Sequence, residues 1–500
     1  MARILLVNPT ITGQRHARFP LAVMSLAAGL EGKHEWGILD GNIDREFIST
    51  AVSRASSGDL DAVGMTVMGG PQLVSAIAVS KAIRAAVPSL PIIWGGAFPT
   101  GCPASALRVP YVDYVVRSQG EDTLIELLGA LQHRDSDALA TIRGLSWRRD
   151  GEPVHNASRT FSVASFERRL PYETLGDPRR YLPRTYLGQH TTGYQAALGC
   201  RFRCTFCGVA TMFRGKMALP PAQRLSEDLT FLTEGLGVDS IQFYDHNFFD
   251  REIDMVPLLE VLAKFALPWW CFARSDALVN LSERSWALLR RSRLRMAYIG
   301  AESPSDWLLH DIRKGTRTDQ TLAAVEQCRA HGITPELSFM LAPPQDPEGE
   351  TEKTFDFIRE IKRLHPATEV MIYVYTPVPP EYSGPNGSGA RAAEFRDCAG
   401  EPVVFPRTAD EWARPEWHAY WCHQDAPWLS ARLRRRIVDF TTVLGCRFPT
   451  IMDIRASVWG KRALRTLASW RYRFRRYDNP WELRVSRRLV RQWDPRILSL

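Results

Sequence analysis

The sequence predicts an α/β protein with two sheet domains and a mostly helical C-terminal region. Short apolar runs alternate with helix-length amphipathic segments over residues 1–125, and this alternation returns over residues 192–380. Parallel strands joined by right-handed helical crossovers produce such a pattern. Residues 386–500 are rich in Trp and Arg and have a helical pattern instead. A chain of 500 residues also exceeds what one hydrophobic core supports, which agrees with several domains.

Residues 1–135 are predicted to form a doubly wound parallel sheet with helices on both faces. Its strands are expected at residues 4–7, 36–40, 62–67, 90–95 and 111–116. Helices are expected at residues 20–31, 72–86 and 121–131. Because such a sheet binds its ligand at the carboxyl ends of its strands, we expect a ligand site there.

Residues 136–190 are interpreted as a linker with a small hairpin at 144–154, and residues 191–385 as a partial (β/α)6 barrel. The six barrel strands are expected at residues 195–198, 240–244, 269–273, 296–300, 334–341 and 370–376. In barrels of this kind the chemistry takes place at the strand ends. Residues 386–500 then form the basic, helical C-terminal region.

The net charge of +8 is unevenly distributed. From Arg432 to the last residue, eighteen Lys and Arg stand against five Asp and Glu, a balance of +13 that leaves the rest of the chain at −5. A basic segment of this kind binds nucleic acid, anionic lipid or an acidic substrate, or is simply a solvated helical face.

The cysteine content indicates a reducing compartment. Nine cysteines, an odd number and mostly scattered, do not resemble a disulfide framework. The first apolar run is too short for a signal peptide, and no run approaches the roughly twenty apolar residues of a membrane-spanning helix. We therefore expect a cytoplasmic protein.

Three cysteines, Cys200, Cys204 and Cys207, lie within eight residues directly after a predicted strand. Three thiolates on one loop can hold three corners of a cubane iron–sulfur cluster and leave its fourth iron open, whereas structural clusters and structural zinc normally use four ligands. An open iron is a site for chemistry. The alternative is a zinc site completed by a distant Cys or His, although the chain has no second CxxC or HxxxH pair.

This CxxxCxxC spacing resembles the radical SAM superfamily, in which the open iron binds S-adenosylmethionine (SAM) and delivers the electron that cleaves it. The resemblance implies that the three cysteines hold a 4Fe-4S cluster. It also implies SAM contacts in the cysteine loop and at later strand ends, namely at Phe206, Arg274, Glu302 and Ser303. Read without the family, an acidic residue at a strand end can equally cap the next helix. The chain departs from the family pattern at residues 341–344 and 377–380, where Pro-containing strings replace the usual turns.

A flavodoxin-like domain before such a barrel resembles the cobalamin-binding branch of the superfamily. Four local strings carry this resemblance and imply cobalamin contacts: Asn8, Pro9 and Thr10; Thr66, Met68 and Gly69; Gly95 and Gly96; and Gln119, Gly120 and Glu121. The DxHxxG motif that supplies a lower cobalt ligand elsewhere is missing, so residues 68–72 are expected beneath the cobalt. The alternative is a bare doubly wound domain that serves as a scaffold or binds another nucleotide.

The resemblance implies methyl transfer to an unactivated carbon as the commonest reaction. One SAM supplies the methyl group through cobalamin, and a second supplies the radical. Three residues at the end of the strand predicted at 240–244, Tyr244, Asp245 and His246, are candidates for facing the substrate. The tryptophans at 417, 421 and 428 suggest an aromatic lid over a sizeable small-molecule substrate, although they equally suit core packing. An external electron donor of the flavodoxin or ferredoxin type is implied.

Two other functions fit the same sequence. A radical cyclase or oxidative rearrangement enzyme like the anaerobic magnesium-protoporphyrin monomethyl ester cyclase shares this domain order and a basic, aromatic C-terminal region. An iron–sulfur nucleic-acid-binding protein would use the alternating Arg and aromatic residues at 470–477 to stack bases and pair phosphates. The same residues suit packing onto the barrel or peripheral contact with a membrane, and we do not expect a nucleic-acid partner.

Overall fold

The computed structural model describes residues 1–162, 168–379, 381 and 394–493. The first domain is a sheet of seven strands in the order β2-β1-β3-β4-β5-β6-β7, of which the first five are parallel. The strands are β1 Arg3–Asn8, β2 Glu35–Asp40, β3 Ala62–Thr66, β4 Ile92–Gly95, β5 Tyr114–Val116, β6 Leu145–Arg149 and β7 Glu152–His155. The order 2-1-3-4-5 is that of a flavodoxin-like sheet, and the five predicted strands are confirmed within three residues at each end.

Helices cover this sheet on both faces. They are α1 Leu21–Leu30, α2 Phe47–Ser56, α3 Pro71–Ala86, α4 Ala97–Gly101, α5 Pro103–Leu107, α6 Glu121–His133 and α7 Ser136–Leu139. The three predicted helices are confirmed as α1, α3 and α6. Helix α2 was not predicted. It buries only Phe47, Ala51 and Ala55, and its Ser and Thr residues weaken the helical pattern.

The hairpin expected in the linker belongs to the first sheet. Strand β6 pairs antiparallel with β5, and β7 pairs antiparallel with β6. The backbone carbonyls of residues 107, 109 and 112 accept hydrogen bonds from the Arg148 guanidinium, which fastens the hairpin to the loop before β5. The sheet therefore has two more strands than the sequence predicted. The edge strand β5 gains backbone hydrogen bonds when the hairpin pairs with it.

The second domain is an open barrel of six parallel strands in the order β15-β14-β13-β12-β11-β8, with a small antiparallel pair, β9 and β10, beside it. The strands are β8 Thr191–Tyr194, β9 Leu198–Gly199, β10 Met217–Ala218, β11 Ser240–Phe243, β12 Trp269–Ala273, β13 Leu294–Glu302, β14 Thr334–Leu341 and β15 Glu369–Val374. Five of the six strand predictions are confirmed. The barrel occupies part of the predicted 191–385 range, whose end lies outside the described residues.

The prediction for the first barrel strand, at residues 195–198, is wrong. The strand is Thr191–Tyr194, four residues earlier, and pairs with β11 in parallel. The strand is hard to recognise in the sequence because its residues are mostly polar. Thr191 is nevertheless fully buried, and its hydroxyl lies 2.8 Å from that of Ser240. A buried hydroxyl that is hydrogen-bonded carries little penalty, so the strand does not need apolar residues.

The remaining helices surround the barrel and build the C-terminal region. Those of the barrel are α8 Gly208–Phe213, α9 Ala222–Thr230, α10 Glu252–Phe265, α11 Ser275–Val279, α12 Glu283–Arg291, α13 Asp306–Asp311, α14 Thr318–Ala330 and α15 Pro347–Leu364. Those of the C-terminal region are α16 Ala409–Trp412, α17 Pro415–Trp421, α18 Ala431–Arg447, α19 Val458–Arg473 and α20 Trp481–Leu489. Within the described ranges, no helix combines the length and apolarity needed to cross a bilayer.

Candidate cofactor and active site

The three cysteines lie on a loop that the fold closes at its base. Strand β9, just before Cys200, pairs with β10, just after α8, so that residues 198–218 form a closed excursion from the barrel. Gly199 has a φ of +84°, and a Cβ there would overlap the backbone carbonyl of Lys216. Only glycine accepts both conditions at low cost, which explains its position before the first cysteine.

The cysteine thiols are largely screened from water and unbridged. Cys204 is buried, Cys200 and Cys207 are partly buried, and all three are free. Burial raises the pKa of the Cys200 thiol, and it raises that of Cys207 to about 11. Burial thus favours the protonated thiols. Bound iron would favour the thiolates instead, because the thiolate is the form of cysteine that binds metal. In the part of the chain described, no three His, Cys, Asp or Glu side chains form a site for a single metal ion.

Arg274, at the end of β12, ties the cysteine loop to the barrel. Its guanidinium lies over the Phe202 ring, 3.5 Å from the centroid, and donates two hydrogen bonds of 3.0 Å to Asp276. A third bond of 2.6 Å goes to the backbone carbonyl of Lys314. Although the resemblance placed Arg274 among the SAM contacts, its donors are thus engaged mainly within the protein.

Glu302, at the end of β13, forms a buried ion pair that the sequence analysis did not find. Lys314 Nζ lies 2.7 Å from Glu302 Oε1. Burial is the largest single influence and would lower the pKa of Lys314, but the Glu302 carboxylate and the Cys204 thiolate together outweigh it and the pKa is raised. The same ammonium lies 5.8 Å from the centroid of Phe206, so the pair borders the cysteine loop. A Cβ at Gly300 would overlap both charged groups, which explains the glycine two residues before Glu302.

The residues after β11 turn toward the same loop. Asp245 is fully buried and accepts a hydrogen bond from the backbone N–H of Ala197, and burial raises its pKa to about 7. His246 packs 5.2 Å from the Phe213 ring, and burial lowers its pKa to about 4. The fold therefore holds both side chains against the base of the cysteine loop.

Tyr244 points the other way, into the barrel. Its ring covers Gly193, where a Cβ would collide with it, and its hydroxyl accepts a hydrogen bond of 3.1 Å from Arg18 Nε. Arg18 also donates to Gln242, at 3.2 Å. Arg18 precedes α1, so this contact joins the N-terminal domain to the end of a barrel strand.

Several buried polar atoms, most of them just after barrel strands, have no hydrogen-bond partner among the described residues. They are both side-chain atoms Oδ1 and Nδ2 of Asn247, the Oδ2 atom of Asp245, and the hydroxyls of Ser275 and Thr316. Buried polar groups are normally hydrogen-bonded, so atoms left unpaired at one edge of a barrel fit a polar ligand. By contrast, Ser303 Oγ is occupied, since it accepts from the Ser305 N–H at 3.0 Å.

At the carboxyl ends of the first sheet, Asn8 lies inside a hydrogen-bond network. It donates to Asp40 and accepts from Gln72, both at 2.9 Å, and Gln72 also accepts from the Met68 N–H. Pro9 and Thr10 continue this network, because the Pro9 carbonyl accepts from Gln72 at 3.2 Å and the Thr10 hydroxyl donates to Gly41. These residues shape the strand ends, while the Met68 side chain remains exposed.

The C-terminal region covers the loop after β3. A Cβ on Gly69 would overlap the indole of Trp421, and one on Gly70 would lie 3.0 Å from Cys422 Sγ. Trp421 also packs edge to face on Phe98 of α4, with 5.8 Å between the ring centroids. Trp421 therefore lies at the edge of the first sheet, beside the exposed Met68, whereas Trp428 is buried in the core, as the alternative of core packing expects.

The strand ends of the two domains come together at α4. Gly96, with a φ of +95°, caps this helix, and a Cβ there would press on Thr66 and Val67. Helix α4 lies against α8, which begins directly after Cys207. The Gly95-Gly96 end of β4 and the cysteine loop are thus neighbours.

The fourth string, residues 119–121, is engaged within the N-terminal part of the chain. The Gln119 amide exchanges two hydrogen bonds of 2.7 Å with the backbone of Ser162, and Glu121 accepts from Ser25 at 2.6 Å. Gly120 caps α6 and leaves room for Leu26.

Comparison with protein families decides the nature of both domains. Residues 16–128 match the B12 binding domain, and residues 194–358 match the radical SAM superfamily. The chain therefore contains a B12-binding domain followed by a radical SAM domain. Its cofactors are a 4Fe-4S cluster, SAM and cobalamin, as the two matched domains imply. The three free thiols on one closed loop fit the cluster, and the unpaired atoms beside them fit a polar ligand such as SAM.

Individual relatives of this radical SAM protein are distant. An uncharacterized methyltransferase of Pyrococcus horikoshii is 26% identical over 68% of the chain and 73% of its own length. The anaerobic magnesium-protoporphyrin IX monomethyl ester cyclase of Synechocystis is 24% identical over 59% of the chain and 58% of its own length. The radical SAM methyltransferase TsrM of Kitasatospora setae, solved with cobalamin and a [4Fe-4S] cluster, superposes with a TM-score of 0.64 at 17% identity, covering 98% of the chain and all of TsrM. At 17% sequence identity, the similarity to TsrM concerns the fold alone.

Lys314 is the main site residue that the sequence analysis missed. It follows Glu302 by twelve residues, in the turn after α13, and no periodicity connects the two. Gly315, with a φ of +70°, marks the turn, but no signal in the sequence pairs the lysine with Glu302. Trp421 was foreseen as part of a lid, but its contact with Gly69 was not.

Proposed function

We propose that this radical SAM protein is a methyltransferase that methylates an unactivated carbon of a sizeable small molecule and consumes two SAM molecules per turnover. The observation that carries the proposal is the contact between α4 and α8. It supports a single substrate cavity between the strand ends of the two domains. With its cofactors bound, such a protein supplies a methyl group from one side of the cavity and a radical from the other.

Residues at the barrel edge are proposed to orient SAM. The Lys314 ammonium neutralises and directs the Glu302 carboxylate, which leaves its second oxygen, 3.5 Å from Ser338 Oγ, available to accept from a ligand. Asn247 can both donate and accept, since neither of its side-chain atoms has a partner in the structure. Arg274 acts as a positioning residue, because it holds the Lys314 backbone beneath this site.

Aromatic rings inside the barrel support a partly apolar substrate. Trp270 contacts Phe272 and Tyr298, with 4.6 and 6.0 Å between ring centroids, and Tyr244 lies 6.5 Å away. The Tyr298 hydroxyl donates to that of Tyr373 at 3.2 Å. Rings with hydroxyls at one end combine apolar contact with a few hydrogen bonds, which is typical of small-molecule sites.

The products of anaerobic turnover test the proposal. After reconstitution with iron, sulfide and cobalamin, and with reduced flavodoxin as the proposed donor, methyl transfer should yield S-adenosylhomocysteine and 5′-deoxyadenosine in equal amounts. Cys204→Ala should abolish deoxyadenosine. Cys398→Ala, which removes an exposed cysteine far from the loop in sequence, should not. Deoxyadenosine without S-adenosylhomocysteine, with candidate substrates present, would exclude methyl transfer.

A radical cyclase remains the second candidate, and the similarity to the Synechocystis enzyme favours it. A cyclase forms a ring without transferring a methyl group. The same assay therefore separates the two functions, because only deoxyadenosine would accumulate, in proportion to the cyclised product.

A further inference from the structure

The last two helices expose apolar stripes with helical spacing. On α19, Gly460, Leu464 and Ala468 face the protein. The exposed side carries a second stripe, made of Trp459, Ala463, Leu467, Trp470 and Phe474, with steps of four, four, three and four residues. Residues at this spacing lie on one face of a helix, so α19 presents apolar surface to solvent as well as to the core.

Helix α20 repeats the arrangement. It buries Leu483, while Trp481, Val485 and Leu489, spaced by four residues, are 63%, 49% and 79% exposed. We name the two stripes together the C-terminal apolar surface. The two helices pack against each other, and rows of exposed apolar groups on neighbouring helices mark an interaction site, whereas single exposed residues need no explanation.

Basic side chains border the C-terminal apolar surface. Over residues 451–493, twelve Lys and Arg stand against three Asp and Glu. Arg462 and Arg473 lie over Trp459 and Phe474, at 5.1 and 5.6 Å from the ring centroids. Neither arginine has an ion pair with any residue described. These charges are therefore free to meet anionic groups of a partner.

We propose that the C-terminal apolar surface docks on an anionic lipid bilayer as a peripheral contact. Helices that lie in a bilayer surface combine an apolar face with Trp and Phe and a border of Lys and Arg, which is the composition found on α19 and α20. The aromatic and aliphatic groups enter the acyl boundary while the arginines remain at the headgroups. The proposal concerns where the protein works and does not depend on the reaction it catalyses.

Two other occupants fit the surface less well. A second copy would place one strongly basic face against another, and like charges at an interface repel. Nucleic acid would use the arginines and the aromatic rings, but Leu467, Val485 and Leu489 neither pair phosphates nor stack bases. The aliphatic share of the stripes is what favours lipid.

Vesicle sedimentation with the full-length protein tests the proposal. Binding to vesicles of phosphatidylcholine with phosphatidylglycerol should exceed binding to phosphatidylcholine alone at least about tenfold at low salt. Trp459→Ser/Trp470→Ser should weaken binding to anionic vesicles at least about tenfold. Arg462→Gln/Arg473→Gln should weaken it by about as much and leave binding to neutral vesicles unchanged.

Ile253→Ser is the matched control, because Ile253 is an apolar side chain that is 79% exposed on α10. It should bind vesicles like the parent, and all variants should keep the parent's thermal unfolding and SAM cleavage. Absence of binding to anionic vesicles, or equal binding by the tryptophan variant, overturns the proposal. So does retention of a single-stranded oligonucleotide by the parent without vesicle binding, since that result assigns the surface to nucleic acid.

Discussion

Lys314 donates a 2.7 Å hydrogen bond to Glu302, and both side chains are less than one-tenth exposed. Glu302 adopts a φ of +62° at the irregular end of β13, a conformation that costs a non-glycine residue free energy. The ion pair therefore holds the carboxylate in a direction that the backbone alone does not favour. Four predictions follow from this pair and from three other contacts.

Lys314→Met should lower the free energy of unfolding by about 3–5 kcal/mol, because it leaves the buried Glu302 carboxylate without its counter-charge. Lys314→Met/Glu302→Gln should recover part of this loss. The measurement is urea unfolding of the apoprotein. The control is Arg317→Met, which breaks a fully exposed pair with Asp319 and should change the free energy of unfolding far less. Equal losses in the buried and exposed variants would show that the pair is not desolvated.

Gly199→Ala should impair cluster binding. The positive φ alone costs alanine about 1–2 kcal/mol, and the new Cβ also overlaps the Lys216 carbonyl, so the cysteine loop must shift. Iron and sulfide bound per chain after anaerobic reconstitution measure the effect. Gly208→Ala, on the other side of the loop, is the control, since a Cβ there meets nothing within 4 Å. If both variants bound as much iron and sulfide as the parent, the predicted effect of Gly199→Ala on the cysteine loop would be contradicted.

Gly69→Ala should destabilise the protein by about 1–3 kcal/mol, because the added methyl group displaces Trp421. In a Trp421→Ala background the same substitution should cost nothing, and thermal unfolding of the four proteins measures this coupling. Gly129→Ala, at an open position inside α6, should be neutral or slightly stabilising. If Gly69→Ala still lowered stability in the Trp421→Ala background, the loss would not come from contact with the Trp421 indole.

Asp245→Asn should change how stability depends on pH. Burial raises the pKa of Asp245 from 3.8 to about 7, so the protonated carboxyl stabilises the fold below pH 4 and this contribution is lost as the pH rises through 7. Asparagine stays neutral and keeps an oxygen for the Ala197 N–H. The variant should therefore match the parent at pH 4 and exceed it at pH 8 by up to about 4 kcal/mol in urea unfolding.

Asp239→Asn gives the opposite sign and serves as the control. Burial opposes ionisation of Asp239, but hydrogen bonds from the backbone N–H groups of His190 and Gln189 outweigh it and lower its pKa. Its contribution is present above the unfolded pKa and is lost as the pH falls through the lowered value. This variant should lose stability at pH 7 and match the parent in strong acid. If both aspartate variants changed stability in the same direction, the opposite pKa shifts of Asp245 and Asp239 would be refuted.

The sequence predicted elements whose pattern is local and missed contacts between distant segments. The strands of the first sheet were found because they are continuous apolar runs, which is how a strand buried on both faces reads. Thr191–Tyr194 was missed because its burial depends on the hydroxyl of Ser240, nearly fifty residues away. The cysteine spacing identified the cluster loop, whereas the pairing of Glu302 with Lys314 arises only when the turn after α13 returns to the end of β13.

The pairing of β9 with β10 closes the base of the cysteine loop with backbone hydrogen bonds, and the Arg274 contact with Phe202 adds a second attachment. A cysteine loop closed by the chain itself should keep its shape when iron is withdrawn, unlike small domains that unfold without their metal. Oxygen damage to the cluster should then leave an intact polypeptide that can be reloaded, so that repair requires only a supply of iron and sulfide and no renewed synthesis of the chain.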